Sequence, residues 1–125
     1  MAIVGVGVDL ARIERFRKFL VPDSAMLERL FCPAERAYGL AKRDPAEAFA
    51  ARFAAKEAFF KTLGTGLRDG LSWQQVCVER DELGCPTLRL SGRAAQLLEQ
   101  RGARRAHLSY SHDGEYAVAT VILEG

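Results

Sequence analysis

The strongest constraint on the fold of this chain is a helical pattern that runs from Ala46 to about Leu63. Asp44-Pro45 is a typical helix start, because proline fits the first helical position, which needs no amide donor. The segment that follows is rich in alanine and phenylalanine, and Gly64 stands where a left-handed cap favours glycine. The sequence therefore predicts one long helix that ends in Gly64-Thr65-Gly66.

Charged side chains occupy unusual places on this helix. Four of its large apolar residues fall within about 80° of the helical wheel, and they are Phe49, Phe53, Phe60 and Leu63. Lys56 lies inside this stripe, where an ammonium group is costly unless it reaches water or meets an anion. Glu57 lies at the edge, with Lys61 one turn further on. This pair is either an ordinary i,i+4 ion pair or part of a reactive site.

The N-terminal segment predicts a strand followed by a helix. Ile3 to Val8 has the composition of a buried strand, in which Gly5 and Gly7 allow close backbone approach. Asp9 follows and has the position of a helix N-cap, for a helix that continues to about Leu20. One side of that helix is apolar and carries Leu10, Ile13, Phe16 and Leu20. The other side carries Arg12, Arg15 and Lys18, with Phe19 among them.

The remaining pattern predicts short helices and two hairpins. Short helices are expected up to Leu30, from Pro33 to about Ala41, and from Ser91 to about Arg101. The hairpin strands are expected at Val76–Arg80 with Thr87–Leu90, and at His107–Ser111 with Tyr116–Leu123. This order predicts a single α+β domain over residues 1–125, with a mostly antiparallel sheet and helices packed on one face.

Composition excludes several classes of protein. A hydrophobic share of 49% argues against disorder, and a net charge of +2 is too small to indicate a nucleic-acid or membrane partner. The N-terminus has no signal-peptide pattern, and no apolar run approaches the length of a spanning helix. Cys32, Cys77 and Cys85 are odd in number and favour a reducing compartment over a disulfide scaffold. We therefore expect a cytoplasmic protein whose cysteines are core or incidental residues.

None of the short local motifs identifies a function on its own. Gly5-Val-Gly7 lacks the third glycine of a dinucleotide fingerprint, and Gly64-Thr65-Gly66 does not precede the lysine of a P-loop. His112 ends a predicted strand beside the turn at Asp113-Gly114. Its adjacency to Ser111 does not define a nucleophile and base, and a turn histidine with ordinary hydrogen bonds is the alternative.

Three segments together resemble the holo-acyl-carrier-protein synthase family of 4′-phosphopantetheinyl transferases. They are residues 5–10 (GVGVDL) with Arg15-Phe16, residues 52–66 (RFAAKEAFFKTLGTG), and residues 108–117 (LSYSHDGEYA). Their order and spacing agree with that family, so the resemblance covers essentially the whole chain. Two departures are small: Phe60 replaces a frequently polar residue, and Tyr110 replaces a small or β-branched one.

The resemblance implies a reaction. Enzymes of this family move the phosphopantetheine arm of coenzyme A to a serine of apo-acyl carrier protein, which releases adenosine 3′,5′-bisphosphate and supports fatty acid biosynthesis. They need Mg2+, whose acidic ligands match Asp9 and Glu57, and hard oxygen donors are what this ion prefers. Either Glu57 or a metal-bound water accepts the serine proton. Lys61 is placed to steady charge on the departing phosphate.

The resemblance also assigns contacts. The residues matching coenzyme contacts are Arg52, Lys56, Lys61, Gly64, Thr65, Gly66, Ser111 and His112, with a looser match at Lys42 and Arg43. Arg15 matches a carrier-docking arginine, and Arg12, Lys18 and Phe19 extend that surface. The family implies a homotrimer with active sites between subunits, and Val118–Leu123, apolar on both faces, is consistent with a strand that needs cover on both sides.

Two other classes of function are open at this point. A non-catalytic module could bind nucleic acid through Arg101, Arg104 and Arg105, although the aromatic residues sit mostly at helix-core spacing. The second class is a degenerate transferase that serves only as a subunit. The presence of both Asp9 and Glu57 argues against this class.

Overall fold

Residues 2–64, 66–68 and 70–125 are described by a computed structural model of the chain. The helices in these residues are α1 (Glu14–Arg17), α2 (Ala25–Leu30), α3 (Pro33–Leu40), α4 (Pro45–Leu63) and α5 (Gly92–Gln100). The strands are β1 (Ile3–Arg12), β2 (Val76–Arg80), β3 (Pro86–Leu90), β4 (Arg105–Asp113) and β5 (Tyr116–Glu124). A short 3₁₀ turn at Trp73–Gln75 precedes β2. None of the helices in this part of the chain has the length and apolar character needed to cross a bilayer.

The strands form two antiparallel sheets. One has the order β1-β5-β4, and the other is the hairpin β2-β3. The inner face of β5 is buried under α4, and alternate residues of the strand supply it: Ala117, Ala119, Val121 and Leu123. Most of α4 is buried as well, since it is the element against which both β1 and β5 pack. The predicted α+β class with a mostly antiparallel sheet is confirmed.

Gly7 sets how closely β1 lies against α4. A Cβ atom at Gly7 would overlap the backbone carbonyl oxygen of Ala58, so no larger residue fits without moving the strand. The close backbone approach expected from the glycines is therefore confirmed at this position. It brings the residues that follow Gly7 in β1 directly alongside the middle of α4.

The outer face of the three-stranded sheet is apolar and uncovered. Val6, Val8 and Leu10 of β1 are 60%, 54% and 58% exposed. Their partners across β5 include Ile122 and Val118, which are only partly buried. Adjacent apolar side chains on a sheet face form a contiguous patch, and such patches mark interaction surfaces. We call these five residues the outer apolar face.

The predicted helix from Asp9 to Leu20 is wrong. Asp9 does not cap a helix, because β1 continues to Arg12 and Asp9 pairs there with Ala119 of β5. Leu10, expected on a buried helix face, is instead exposed on the sheet. Only the four-residue α1 remains of the helix. β1 pairs with β5 from Ile3 to Arg12, and that distant pairing overrides the local helical pattern.

The long helix and both hairpins match their predictions closely. The long helix, α4, begins at Pro45 and ends at Leu63, and Gly64 adopts the expected left-handed conformation with φ of 74°. The predicted second hairpin is present, although its strands extend further, to Arg105–Asp113 and Tyr116–Glu124. These elements were predictable because short-range signals such as caps, turn residues and periodicity govern them.

The structure contradicts the prediction that all three cysteines are core or incidental residues. Cys32 and Cys77 are joined in a disulfide, whereas Cys85 is free and exposed. The sequence favoured unlinked core cysteines because no short spacing indicates this pair. Packing of the N-terminus of α3 against β2 brings together two residues that are 45 positions apart.

Candidate active site

Asp9 and Lys61 meet where β1 crosses α4. The Lys61 ammonium donates to Asp9 Oδ1 at 2.8 Å and to the backbone oxygen of Val8 at 3.1 Å. The Asp9 side chain is 15% exposed, whereas that of Lys61 is 53% exposed. The predicted acid and the predicted lysine, 52 residues apart in the chain, therefore form one cluster.

Glu57 belongs to the same cluster. Burial raises the pKa of Glu57 above its ordinary value, and the nearby carboxylate of Asp9 raises it further. The positive charges of Lys61 and Arg15 lower the pKa of Glu57, but they do not cancel the rise. Glu57 and Lys61 also line one cleft, which agrees with these electrostatic effects. Within the described residues the ion pair of Lys61 is with Asp9, not the i,i+4 pair with Glu57.

The cluster opens onto a small cleft, which we call the acidic cleft. Its volume is about 240 Å3, and its lining residues are Glu57, Phe60, Lys61, Gly64 and Gly66. Four of these are predicted site residues that the structure brings together. Thr65, predicted beside them, lies outside the described residues.

A second and larger cleft lies on another side of α4, and we call it the basic cleft. It has a volume of about 560 Å3, and its lining includes Tyr38, Lys42, Arg43, Arg52 and His112. Arg52 is only 3% exposed, and its Nη1 donates to the backbone oxygen of Ala48 at 3.4 Å. Its Nε has no hydrogen-bond partner among the described residues. An unpaired buried donor of a cation is costly, which suits a site that receives an anion.

His112 reaches the basic cleft, but Ser111 does not. Side chains alternate along a strand, so Tyr110 and His112 of β4 point to one side and Ser111 to the other. His112 Nε2 lies 3.0 Å from Glu47 Oε1 at the cleft. Ser111 is exposed and pairs with Val118 of the outer apolar face. The prediction that both residues line one coenzyme site is not met within a single chain.

The two clefts lie on different sides of the same helix. Arg52 and Glu57 are five positions apart, and at about 100° per residue this separates their directions by about 140°. The lining residues of the acidic cleft and of the basic cleft do not overlap. Arg52 and Glu57 of one chain therefore face different clefts.

The predicted role of Lys56 as a phosphate contact is wrong. Its side chain has no exposed surface and lies 2.6 Å from Glu35 Oε1, which is equally buried. Lys56 also donates to the backbone oxygen of Trp73 at 3.1 Å. Burial lowers the pKa of Lys56, although Glu35 opposes that shift. The anion that the apolar surroundings of Lys56 require is thus a glutamate of α3 and not a ligand.

The three predicted basic docking residues are exposed, but they do not form one helix face. Arg12 lies at the end of β1 and donates to the Tyr116 hydroxyl at 3.0 Å. The guanidinium of Arg15 lies 5.5 Å from the ring centroid of Phe53, on the side of α4 that carries Glu57. Lys18 caps α1, and Phe19 packs partly against the core instead of standing free. Arg15 is therefore the docking candidate nearest to the acidic cleft.

Sequence reasoning missed Tyr38, Glu35 and Glu47. Tyr38 and Glu47 line the basic cleft, and Glu35 holds Lys56. Only Glu35 had a detectable signal, because a lysine within an apolar stripe demands an anion somewhere in the fold. Tyr38 and Glu47 lie in segments without a motif, so spatial proximity was needed to identify them.

The acid pair has the chemistry that Mg2+ requires. This ion takes one or two carboxylates and keeps several waters, and Asp9 with Glu57 would supply such a pair of hard oxygen donors. The raised pKa of Glu57 is partly due to Asp9, so a cation between the two carboxylates would relieve their repulsion. In the described part of the chain a closer group of potential ligands, Cys32, Glu35 and Cys77, is occupied by the disulfide and by Lys56.

The basic residues of the alternative nucleic-acid surface do not act as a free cluster. Arg101 donates to the backbone oxygen of Leu63 at the end of α4. Only Arg104 and Arg105 of this group remain exposed without such a structural contact in the described residues. Two exposed arginines at the start of a strand give little support to a phosphate-tracking surface.

Comparison with known proteins gives consistent matches. A sequence profile of the 4′-phosphopantetheinyl transferase superfamily matches residues 5–121. The holo-[acyl-carrier-protein] synthase of Trichlorobacter lovleyi is 57% identical over 123 residues, 98% of each chain. The crystal structure of that synthase from Neisseria meningitidis matches with a TM-score of 0.85 at 33% identity, over 99% of this chain and 100% of the other. The Bacillus anthracis structure, in complex with CoA (3′,5′-ADP), has a TM-score of 0.79 at 35% identity, over 98% and 96%.

Proposed function

This chain belongs to the 4′-phosphopantetheinyl transferase superfamily, and we propose that it transfers 4′-phosphopantetheine from coenzyme A to a serine of apo-acyl carrier protein. The products would be holo-acyl carrier protein and adenosine 3′,5′-bisphosphate. The observation that carries this proposal is the convergence of Asp9 and Glu57 beside Lys61, since two acids and a cation suit a reaction at a diphosphate.

Magnesium dependence is part of the proposal. Asp9 and Glu57 are the residues that would hold the ion. Bound Mg2+ supplies charge neutralisation at the diphosphate and polarisation of the phosphorus under attack. Lys61 already keeps Asp9 oriented through its 2.8 Å contact, so this ligand is fixed before any substrate arrives. Such preorganisation lowers the reorganisation needed during transfer.

Proton transfer is assigned to Glu57. The carrier serine must lose its proton as its oxygen bonds to phosphorus, while the bond from that phosphorus to the oxygen of adenosine 3′,5′-bisphosphate breaks. Glu57 is the acid of the pair that can accept this proton, because Lys61 forms its ion pair with Asp9 and not with Glu57. Lys61, which is 53% exposed, can stabilise the negative charge that develops on the departing phosphate. Gly64 and Gly66 line the same cleft without side chains, which leaves room for the coenzyme.

We propose that the basic cleft binds the 3′-phosphate on the adenosine part of coenzyme A. Arg52 offers an unpaired buried Nε, and His112, Lys42 and Arg43 add positive or hydrogen-bonding groups around it. Guanidinium groups bind phosphate strongly because several donors lie in one plane. This assignment keeps the predicted roles of Arg52 and His112 and omits Lys56.

We further propose that three copies assemble with active sites between subunits. Two observations support this: the outer apolar face lacks cover, and Arg52 and Glu57 of one chain face different clefts. A neighbouring subunit could cover the outer apolar face of this chain. It could also bring its own basic cleft next to the acidic cleft of this chain. Light scattering is expected to give about 41 kDa, three times the chain mass of 13.8 kDa. A mass near that of one chain would contradict a shared site.

Reversal of charge at Arg15 tests the docking role. Acyl carrier proteins are acidic, so Arg15→Glu is expected to raise the KM for the carrier about tenfold and the KM for coenzyme A less than twofold. Steady-state kinetics with each substrate varied separately measure the two values. Arg104→Glu makes the same charge change near the opposite end of the sheet, and it should leave both values unchanged. Equal effects of Arg15→Glu on the two KM values would contradict docking.

Mass spectrometry of the carrier tests the function itself. The purified protein is incubated with coenzyme A, Mg2+ and apo-acyl carrier protein, and the carrier is expected to gain the mass of one phosphopantetheine group. A parallel reaction with chelator should show no gain. An unmodified carrier under conditions in which a known synthase succeeds would refute the transferase. A cytoplasmic location stays a prediction, which cell fractionation would check.

A further inference from the structure

One aromatic ring in the basic cleft is surrounded by cations. The ring centroid of Tyr38 lies 4.0 Å from the Arg52 guanidinium carbon, 4.4 Å from the Lys42 ammonium and 5.3 Å from the Arg80 guanidinium carbon. A cation within about 6 Å of an aromatic face is attracted to it. The ring therefore holds three positive groups close together that would otherwise repel one another.

No carboxylate of the described residues forms an ion pair with these cations. The nearby acids are engaged elsewhere: Glu47 with His112, Asp44 with Arg17, and Glu79 with Arg89. Arg52 also retains its buried Nε without a hydrogen-bond partner. Three cations at one ring with no anion form a site that is electrostatically incomplete. A ligand phosphate is the chemistry that would complete it.

Arg80 fixes the orientation of the ring. Its Nε donates to the backbone oxygen of Gly84 at 3.0 Å, and its Nη1 donates to the Tyr38 hydroxyl at 2.5 Å. Burial alone would raise the pKa of Tyr38, but Lys42, Arg52 and Arg80 together lower it. The phenol is thus held at its hydroxyl by an arginine that the β2-β3 turn itself anchors.

The ring also forms part of a dividing wall. Tyr38 and Arg52 line the basic cleft, and both line a neighbouring cleft of about 410 Å3 that is bounded by Ala34 and Arg80. Removal of the ring would join the two clefts and leave the Arg52 guanidinium with only the more distant Tyr110 ring, 5.8 Å away, as an aromatic contact among the described residues. Fewer contacts would then hold the Arg52 side chain in place, since its Tyr110 contact and its bond to the Ala48 oxygen would remain.

We infer that Tyr38 is a positioning residue that holds Arg52 and Lys42 for the 3′-phosphate of coenzyme A, and that Arg80 secures Tyr38 through its hydroxyl. This inference rests on the proposed function and names the residues that give it specificity. Tyr38 does not touch the reacting atoms. It favours coenzyme A over dephospho-coenzyme A, which lacks the phosphate that Arg52 and Lys42 would bind.

The test compares kinetics with direct binding. Tyr38→Leu is expected to raise the KM for coenzyme A about tenfold with kcat within twofold, because loss of a buried cation–aromatic contact has this size. The KM for dephospho-coenzyme A should change less than twofold. By calorimetry, Tyr38→Leu should weaken binding of adenosine 3′,5′-bisphosphate about tenfold and leave binding of adenosine 5′-monophosphate unchanged.

Two further variants separate the ring from its anchor. Tyr38→Phe keeps the ring and loses the hydroxyl, so about a threefold weaker binding of adenosine 3′,5′-bisphosphate is expected. Arg80→Gln should match Tyr38→Phe. Arg89→Gln removes the same charge from the neighbouring strand, where Arg89 pairs with Glu79, and should bind as the wild type does.

The outcomes distinguish this inference from the proposed function. If the wild-type protein transfers phosphopantetheine but Tyr38→Leu weakens both nucleotides equally or neither, the inference is wrong and the function stands. If Arg80→Gln and Arg89→Gln have equal effects, general charge and not the Tyr38 anchor is responsible, which also overturns it. Failure of the wild type to transfer would instead refute the proposed function, whatever the binding data.

Discussion

Glu57→Gln is expected to remove nearly all transfer activity while the fold stays intact. Glutamine keeps the size of the side chain but can neither accept the serine proton nor supply a charged oxygen to Mg2+. Loss of a general base alone costs about 10²- to 10⁴-fold, so kcat/KM should fall at least about 10³-fold when ligand charge is lost as well. The carrier mass assay measures the rate, and thermal unfolding measures the fold. A variant that transfers normally would refute the metal and base assignments.

The raised pKa of Glu57 also predicts the direction in which Glu57→Gln changes the stability of the fold. Burial and Asp9 raise the pKa of Glu57, so the folded chain favours the neutral form, and stability contributed by Glu57 is lost as pH rises through its folded pKa. Glutamine is always neutral and avoids that loss. Glu57→Gln should therefore be at least as stable as the wild type at pH 7. Glu99→Gln, at an exposed position of α5, is the matched control and should transfer normally.

The same shift sets the pH dependence of the reaction. The wild-type kcat/KM is expected to rise with pH as Glu57 loses its proton, across or above the ordinary range of a glutamate, because burial and Asp9 raise the pKa of Glu57 and bound Mg2+ would oppose that rise. The residual rate of Glu57→Gln should lack this limb. A wild-type profile that is flat across and above that range would contradict Glu57 as the proton acceptor.

Lys56→Met is expected to destabilise the fold strongly and to leave coenzyme binding unchanged. It would leave the fully buried Glu35 carboxylate without its cation, although the amides of Cys32 and Val78 still donate to it. Removal of one partner of a buried pair costs about 3–5 kcal/mol. Urea denaturation measures the loss of unfolding free energy. Lys18→Met, the same change at an exposed site, should cost less than about 0.5 kcal/mol.

A double variant separates lost charge from lost packing. In Glu35→Gln/Lys56→Met no buried charge remains unpaired, and the introduced glutamine can still accept one amide hydrogen bond, so most of the stability should return. The KM for coenzyme A should stay within twofold of the wild type. If Lys56→Met is stable and instead raises that KM about tenfold, Lys56 contacts the coenzyme after all.

Local sequence signals were sufficient for most of the architecture. Pro45 and Gly64 bounded α4 to within one residue, and the turn at Asp113-Gly114 predicted the β4-β5 hairpin. The exception is the segment after Asp9, where apolar residues at helical spacing suggested a helix. Those residues belong to β1, because a strand partner far away in the chain satisfies their backbone groups.

The candidate site was predicted in part for a similar reason. Asp9, Glu57 and Lys61 were identified as residues that share chemistry, and the structure places them together. The sequence also indicated that Lys56 needs an anion, but it could not distinguish a ligand from a buried glutamate. Only the packing of α3 against α4 made that choice, because it brings Glu35 within 2.6 Å.

By itself the sequence determined which segments are helical or extended in most of the chain, and it predicted which acids and cations would form the candidate site. Tertiary structure alone decided that Asp9 lies on a strand, that Cys32 meets Cys77, and that Arg52 and Glu57 face different clefts. The reason is physical. Caps, turns and periodicity act between residues a few positions apart, whereas contacts between distant segments depend on how whole elements bury their apolar faces.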